Sequence, residues 1–253
     1  MNVKRLHALL NAVKDLCFPT GVFCLICNQA CYNEPLCPDC RAGMDTLRLN
    51  ITADADGKPL RLPGLEAVRA VWVYEGLPKK LIWMLKFGRC ENAAEVLASG
   101  IAEAAADMGA FDAVTWIPMP KHRRRERGID HGRTLAEAVA KLLELPAVAA
   151  LRLRNEYAAT QRGRNAAERR AQTNRFAAVQ TEPIGRMLLV DDVLTTGSTV
   201  RDAAAALQRG GCGSVTAICA AQSILKGWNA DDETMDQPVH DALAAAGLLP
   251  GER

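Results

Sequence analysis

At 253 residues and 49% hydrophobic, the chain can build one ordinary domain plus a small one, and it is too apolar to be disordered throughout. A formal net charge of +2 points to no dedicated polyanion partner, although basic residues gather at 121–133 and 152–175 and acidic ones at Asp231, Asp232, Glu233 and Asp236. Lys14 and Asp15 interrupt the early apolar residues before a secretory core can form, and no run approaches the roughly 18 apolar residues of a membrane span. The expectation is a cytoplasmic, reducing setting without membrane insertion, where clustered cysteines bind metal rather than form disulfides.

Leu6, Leu9, Leu10, Val13 and Leu16 recur at helical spacing and predict a short amphipathic helix over residues 1–20. Two tight knuckles follow, Cys24-Leu25-Ile26-Cys27 and Cys37-Pro38-Asp39-Cys40. Each presents two sulfurs, and four thiolates suit a closed tetrahedral zinc site with a structural role, since no coordination position is left for chemistry. Cys17 and Cys31 stand open as substitute ligands. Large apolar residues are few here, so the metal is expected to supply much of the folding free energy. Asp54-Ala55-Asp56-Gly57-Lys58-Pro59 reads as an exposed tip marking a boundary. The expected modules are 1–60 (helix and four-cysteine module), 61–226 (main domain) and 227–253 (tail).

The main domain alternates strands and helices. A strand is expected over 68–74, and Leu77, Leu81, Ile82 and Leu85 mark a helix ending at Lys86-Phe87-Gly88. An alanine-rich helix over 92–108 precedes a strand over 113–117. That strand runs into a basic loop, Pro118 to Gly128, and then into a helix with Leu135, Val139, Leu142 and Leu143 on its core stripe. A strand over 148–151 leads to an arginine-rich excursion, 152–175, without apolar pattern. Residues 187–190 form a buried strand, 200–207 a helix stopped by Gly210-Gly211, and 215–220 a last strand. This alternation implies α/β architecture with a doubly wound, mostly parallel sheet whose ligands sit at the carboxyl edge.

One stretch carries the chemistry: Met187-Leu188-Leu189-Val190-Asp191-Asp192-Val193-Leu194-Thr195-Thr196-Gly197-Ser198-Thr199. A buried strand ends in two carboxylates, then a glycine turn, then a helix that Ser198 or Thr199 can cap. Free amides at the helix start suit a phosphate, and carboxylates accept hydrogen bonds from a vicinal diol. No Gly-Lys-Ser/Thr follows, which excludes a Walker-type loop. The stretch resembles the phosphoribosyl pyrophosphate (PRPP) signature of type I phosphoribosyltransferases. That resemblance makes Asp191 and Asp192 the ribose ligands and Thr195, Thr196, Gly197, Ser198 and Thr199 the 5′-phosphate loop.

The order of features is more specific still. The four-cysteine pair precedes Tyr74-Glu75-Gly76-Leu77, then Leu81-Ile82-Trp83-Met84-Leu85-Lys86-Phe87-Gly88, Ile117-Pro118-Met119-Pro120, Arg127-Gly128 and the signature. Over roughly residues 20–225 this resembles the ComF family, also named competence or GntX-like, which joins a zinc ribbon to a phosphoribosyltransferase-like domain. Where that family continues Arg-Gly-aromatic-Asn-Gln, this chain has Ile129-Asp130-His131, and Ala158 replaces a common threonine near Gln161.

The resemblance implies PRPP with Mg²⁺ as ligand, Pro118, Met119, Pro120, Lys121, His122 and Arg123 as pyrophosphate loop, and transfer or hydrolysis of the phosphoribosyl group to an unidentified acceptor. Lys121, Arg123, Arg162 and Arg164 are the candidate charge-neutralising residues, the last two as a lid or a solvated face; His122 and His131 are the candidate bases. For some members the family implies DNA uptake, which brings in single-stranded DNA or the competence machinery as partners; a homo-oligomer is a separate candidate. The rival reading is a non-catalytic PRPP or nucleotide sensor, or a single-strand-binding accessory protein. Against strong nucleic-acid binding, Tyr157 and Phe176 are the only aromatics in 152–176.

Overall fold

The computed structural model describes residues 22–52, 58–88, 90–154, 175–179 and 184–223. The helix expected over 1–20, the tip at 54–57, most of the arginine-rich excursion and the tail lie outside the described residues. The chain divides into two compact units, Met1–Thr46 and Leu47–Arg253. No helix among the described residues is long and apolar enough to cross a membrane.

In the first unit a hairpin-like turn pairs Phe23 with Ala30, and α1 (Pro38–Asp45) follows. Pro38 starts α1 because its ring fixes a helical φ and its missing N–H would have had no partner there. Among the described residues of this unit the buried hydrophobic ones are Cys24, Cys31, Leu36, Cys37, Cys40 and Met44, four of them cysteines.

The second unit is built on a four-stranded, fully parallel sheet of order β1-β6-β5-β2: β1 (Ala67–Val73), β6 (Ser214–Gln222), β5 (Arg186–Leu194) and β2 (Ala113–Trp116). The intervening helices are α2 (Gly76–Phe87), α3 (Glu91–Ala106), α4 (Lys121–Arg127), α5 (His131–Leu143) and α6 (Ser198–Arg209). Parallel strands covered on both faces read as continuous apolar runs, as Met187 to Val190 does. Strand alternation sorts that run. Met187 and Leu189 share a core with Val200, Ala203 and Leu207 of α6. Leu188 and Val190, fully buried, face the side covered by α3 and α5. The sheet is thus doubly wound, as expected.

Two elements differ from the sequence reading. The stretch expected as a basic loop contains a two-turn helix, α4. Lys, Arg and Glu are good helix formers, Pro120 precedes the first turn, and Gly128, at φ 76°, closes the last by donating its N–H to the Arg124 carbonyl. The strand expected over 148–151 is displaced to β3 (Leu151–Leu153), which pairs antiparallel with β4 (Phe176–Ala178). The displacement follows from partners: Leu153 meets Phe176, whereas Val148 hydrogen-bonds Val114 in β2. The two ends of the arginine-rich stretch are therefore joined as a ribbon, with the Arg154 N–H donating to the Arg175 carbonyl.

Candidate functional site

β5 delivers the signature to the carboxyl edge of the sheet. Beyond Leu194, Thr195 and Thr196 turn outward, and Gly197 takes a left-handed φ of 71°. A side chain there would be strained by that φ, and its Cβ would lie 2.5 Å from Leu62. Gly197 itself is the N-cap of α6, with no side-chain cap. Ser198 and Thr199 lie inside the first turn, which corrects the expectation that one of them caps the helix. The Ser198 N–H instead donates weakly, at 3.4 Å, to the Thr196 hydroxyl. The first-turn amides of α6 have no in-helix acceptor by helix geometry, so the turn can receive an anion.

The two carboxylates are adjacent in sequence but not equivalent in space. Asp191 sits opposite Cys219, a member of the α6-side core, and is half-buried. Its Oδ1 accepts the Asp192 N–H at 2.9 Å. Burial pushes its pKa up to about 7, helped by the Asp192 charge and opposed by the Asp192 amide, Lys86 and Arg175. Asp192 points to the opposite face. Its Oδ1 lies 3.1 Å from Lys86 Nζ and its Oδ2 2.9 Å from His131 Nε2, with all three side chains nearly buried. Burial alone would raise the Asp192 pKa, but Lys86 and then His131 outweigh it and hold the carboxyl well below its usual range.

The end of β2 lies beside β5 at the same sheet edge. Pro118, Met119 and Pro120 run extended and half-buried into α4, whose first turn carries Lys121, His122 and Arg123. Asp130 caps α5, its carboxylate accepting the Arg133 N–H at 3.2 Å. Asn and Asp are equally good N-caps, which accounts for Asp130 where the ComF pattern has asparagine. His131 then opens α5 and reaches Asp192. Arg127 sits over the Phe87 ring at 5.0 Å and meets His131 Nδ1 at 3.4 Å.

Arg175, at the root of the arginine-rich stretch, donates through both its backbone N–H and its Nε to Asp202 of α6, at 2.9 and 3.2 Å. Its charge is felt at Asp191. Arg162 and Arg164 lie outside the described residues.

Lys86 and Arg175 escaped the sequence reading, and His131 was seen only as a candidate base. A signal for Lys86 existed. It stands in a run from Leu81 to Lys86 that is buried without interruption, and a lysine so placed needs a buried anion. Nothing local marked Arg175 among its neighbouring arginines.

In the first unit the sulfurs of Cys24, Cys27, Cys37 and Cys40 all lie within 4.8 Å of one another, and Cys27 and Cys37 are 3.5 Å apart. Four sulfurs around zinc, with bonds of about 2.3 Å, would be about 3.8 Å apart, so the set fits a tetrahedral ion. Burial pushes the Cys24 thiol up, but the amides of Cys27, Cys37 and Ile26 together outweigh it and bring it down to about 6. Cys31 stays out of the cluster and turns its sulfur to the Glu34 carbonyl at 3.2 Å. Cys17 lies outside the described residues.

Topology, signature turn and cysteine cluster together define a doubly wound α/β protein, with a glycine turn after an acid pair at a strand end and an N-terminal four-cysteine module that fits a zinc ribbon. No family model matches the chain. It is similar to the DNA utilization protein YhgH of Escherichia coli, 27% identical over 211 residues, which cover 79% of this chain and 90% of that protein. It is also similar to competence protein F of Haemophilus influenzae, 31% identical over 102 residues, or 39% of this chain and 44% of that protein. The ComF resemblance thus holds, and the chain is a relative of these proteins. Among solved structures, glutamine PRPP amidotransferase from B. subtilis superposes with a TM-score of 0.37 and 23% identity over 50% of this chain; the match spans 25% of that enzyme.

Proposed function

We propose that the chain binds PRPP with magnesium at the carboxyl edge of the sheet and displaces its pyrophosphate. The observation that carries this reading is a left-handed glycine turn at a helix N-terminus directly after an acid pair at a strand end. The turn from Thr195 to Thr199 receives the 5′-phosphate through backbone N–H and hydroxyl groups, and the acid pair receives the ribose hydroxyls. Pro118 to Arg123 faces the pyrophosphate. There Lys121 and Arg123 neutralise the charge that develops as the anomeric C–O bond breaks and its electron pair leaves with pyrophosphate. A base, an amine or water then supplies the new bond to the anomeric carbon. Asp191 and Asp192 offer hard carboxylate oxygens that would suit a magnesium ion, which would supply charge neutralisation to the leaving pyrophosphate when bound. Zinc in the four-cysteine module is structural. The names of the relatives support a role in DNA uptake or utilization, and clustered free thiols suit the cytoplasm.

A second reading, a PRPP sensor or single-strand-binding accessory, is favoured by one observation: Arg124 and Arg125 of α4 are exposed beside the site. Mass spectrometry of PRPP incubated with the protein, magnesium and a panel of bases and amines separates the readings. Pyrophosphate release with a ribosylated or hydrolysed product is expected. Saturable binding without turnover would shift the conclusion to the sensor, and neither binding nor turnover would refute both PRPP roles.

A further inference from the structure

We propose that Lys86 is a built-in counter-ion that keeps free divalent metal off the unliganded acid pair, so that magnesium enters only as part of an anionic complex with the phosphorylated sugar. This rests on the PRPP reading and adds to it the form in which the metal arrives; both acids still receive the ribose hydroxyls. Two neighbouring carboxylates at a strand end are hard oxygen donors, a set that by itself attracts Mg²⁺ or Mn²⁺. Here the set is partly neutralised from inside the protein. Lys86 Nζ lies 3.1 Å from Asp192 Oδ1, and both side chains are only 9% exposed. With Lys86 included, the ionised pair carries one negative charge rather than two.

Lys86 does not step aside for a metal. It belongs to a run of α2, Leu81 to Lys86, that is buried throughout, and an ammonium turned away from Asp192 would lose its counter-ion inside the protein, a costly state. A metal bound to Asp192 would therefore share that carboxylate with Lys86, and two cations so close repel strongly at a nearly buried site. The second oxygen offers no way round. A guanidinium only donates, so His131 Nδ1 accepts from Arg127, at 3.4 Å, and its proton sits on Nε2, 2.9 Å from Asp192 Oδ2. Asp192 is thus closed to chelation through both oxygens. Ribose hydroxyls meet no such barrier. Each carboxylate oxygen has two lone pairs, and Lys86 and His131 take one from each, so a hydroxyl can add without displacing either. In a magnesium complex of PRPP the phosphate charges outweigh those of the metal. The complex is an anion, and Lys86, Lys121 and Arg123 attract it where Lys86 repels the bare ion.

The test is titration of the full chain with Mn²⁺, read by the enhancement of water-proton relaxation that a protein-bound ion gives, at pH 8, where Asp191 is ionised. Without PRPP the wild type should show no enhancement that Asp191→Asn removes; with PRPP it should bind one Mn²⁺ per chain at the acid pair. Lys86→Gln keeps an N–H for Asp192 and removes only the charge. It should bind Mn²⁺ alone about tenfold or more tighter than the wild type, because a unit charge a few ångströms from a dication outweighs one factor of ten. Adding Asp192→Asn to Lys86→Gln should abolish the gain. A folded Lys86→Gln that gains nothing overturns the proposal. So does a wild type that binds Mn²⁺ alone at the acid pair as tightly as it does with PRPP, a result that needs no variant of Lys86 to fold. A wild type silent with and without PRPP, beside a Lys86→Gln that gains Mn²⁺, upholds the counter-ion and refutes the PRPP reading instead.

Discussion

Replacing Asp191 with asparagine should stabilise the fold while damaging the ligand site. In the unfolded chain this carboxyl ionises near its ordinary 3.8, whereas in the fold it keeps its proton to about pH 7, because it is half-buried and sits beside Asp192. Between those values folding takes up a proton, so stability falls as pH rises, and the penalty is complete above pH 7. At about 1.4 kcal/mol per pH unit the full penalty is on the order of 4 kcal/mol. Asparagine keeps an oxygen for the Asp192 N–H and carries no charge; the attraction of Lys86 and Arg175 is already contained in the shifted pKa, and solvent reaching the half-buried carboxylate discounts the gain to about 2–3 kcal/mol. For a domain of this size that raises Tm by roughly 5–10 °C. Urea denaturation of both proteins from pH 4.5 to 8.5 should show a difference that grows to pH 7 and then levels. A flat difference across that range, or an asparagine variant less stable at pH 8, would refute the reasoning.

Cys37→Ser should abolish the metal, which elemental analysis of the wild type should find as one zinc per chain, and should open the first unit to protease while PRPP affinity changes little. A zinc-free wild type purified under reducing conditions would remove the site. Gly197→Ala places a side chain at φ 71° and against Leu62, so denaturation should show a loss of about 2–3 kcal/mol, and PRPP affinity should fall at least tenfold. Unchanged affinity would mean that the turn is not a phosphate cradle.

How far the site was legible in the sequence follows from how local its causes are. The apolar run ending at Asp191, the glycine turn and the helix after it are local, and all three appear where their residues place them. The four cysteines converge because each knuckle fixes its own pair. The different fates of Asp191 and Asp192 depend on which helices cover which face, and their partners Lys86 and His131 come from distant segments. In α4, helix propensity and two flanking backbone constraints prevailed over a composition that suggested a solvated loop. At α6, Gly197 displaced the hydroxyl residues from the cap because the turn needs a left-handed residue just there.

The central claim is that the acid pair and the turn after it form a PRPP site. Calorimetric titration of the full chain with PRPP, with and without magnesium, tests it most directly. The account predicts saturable, magnesium-dependent, one-to-one binding that weakens at least tenfold in Asp191→Asn. Absence of binding, or binding equally strong in that variant and without magnesium, would contradict it.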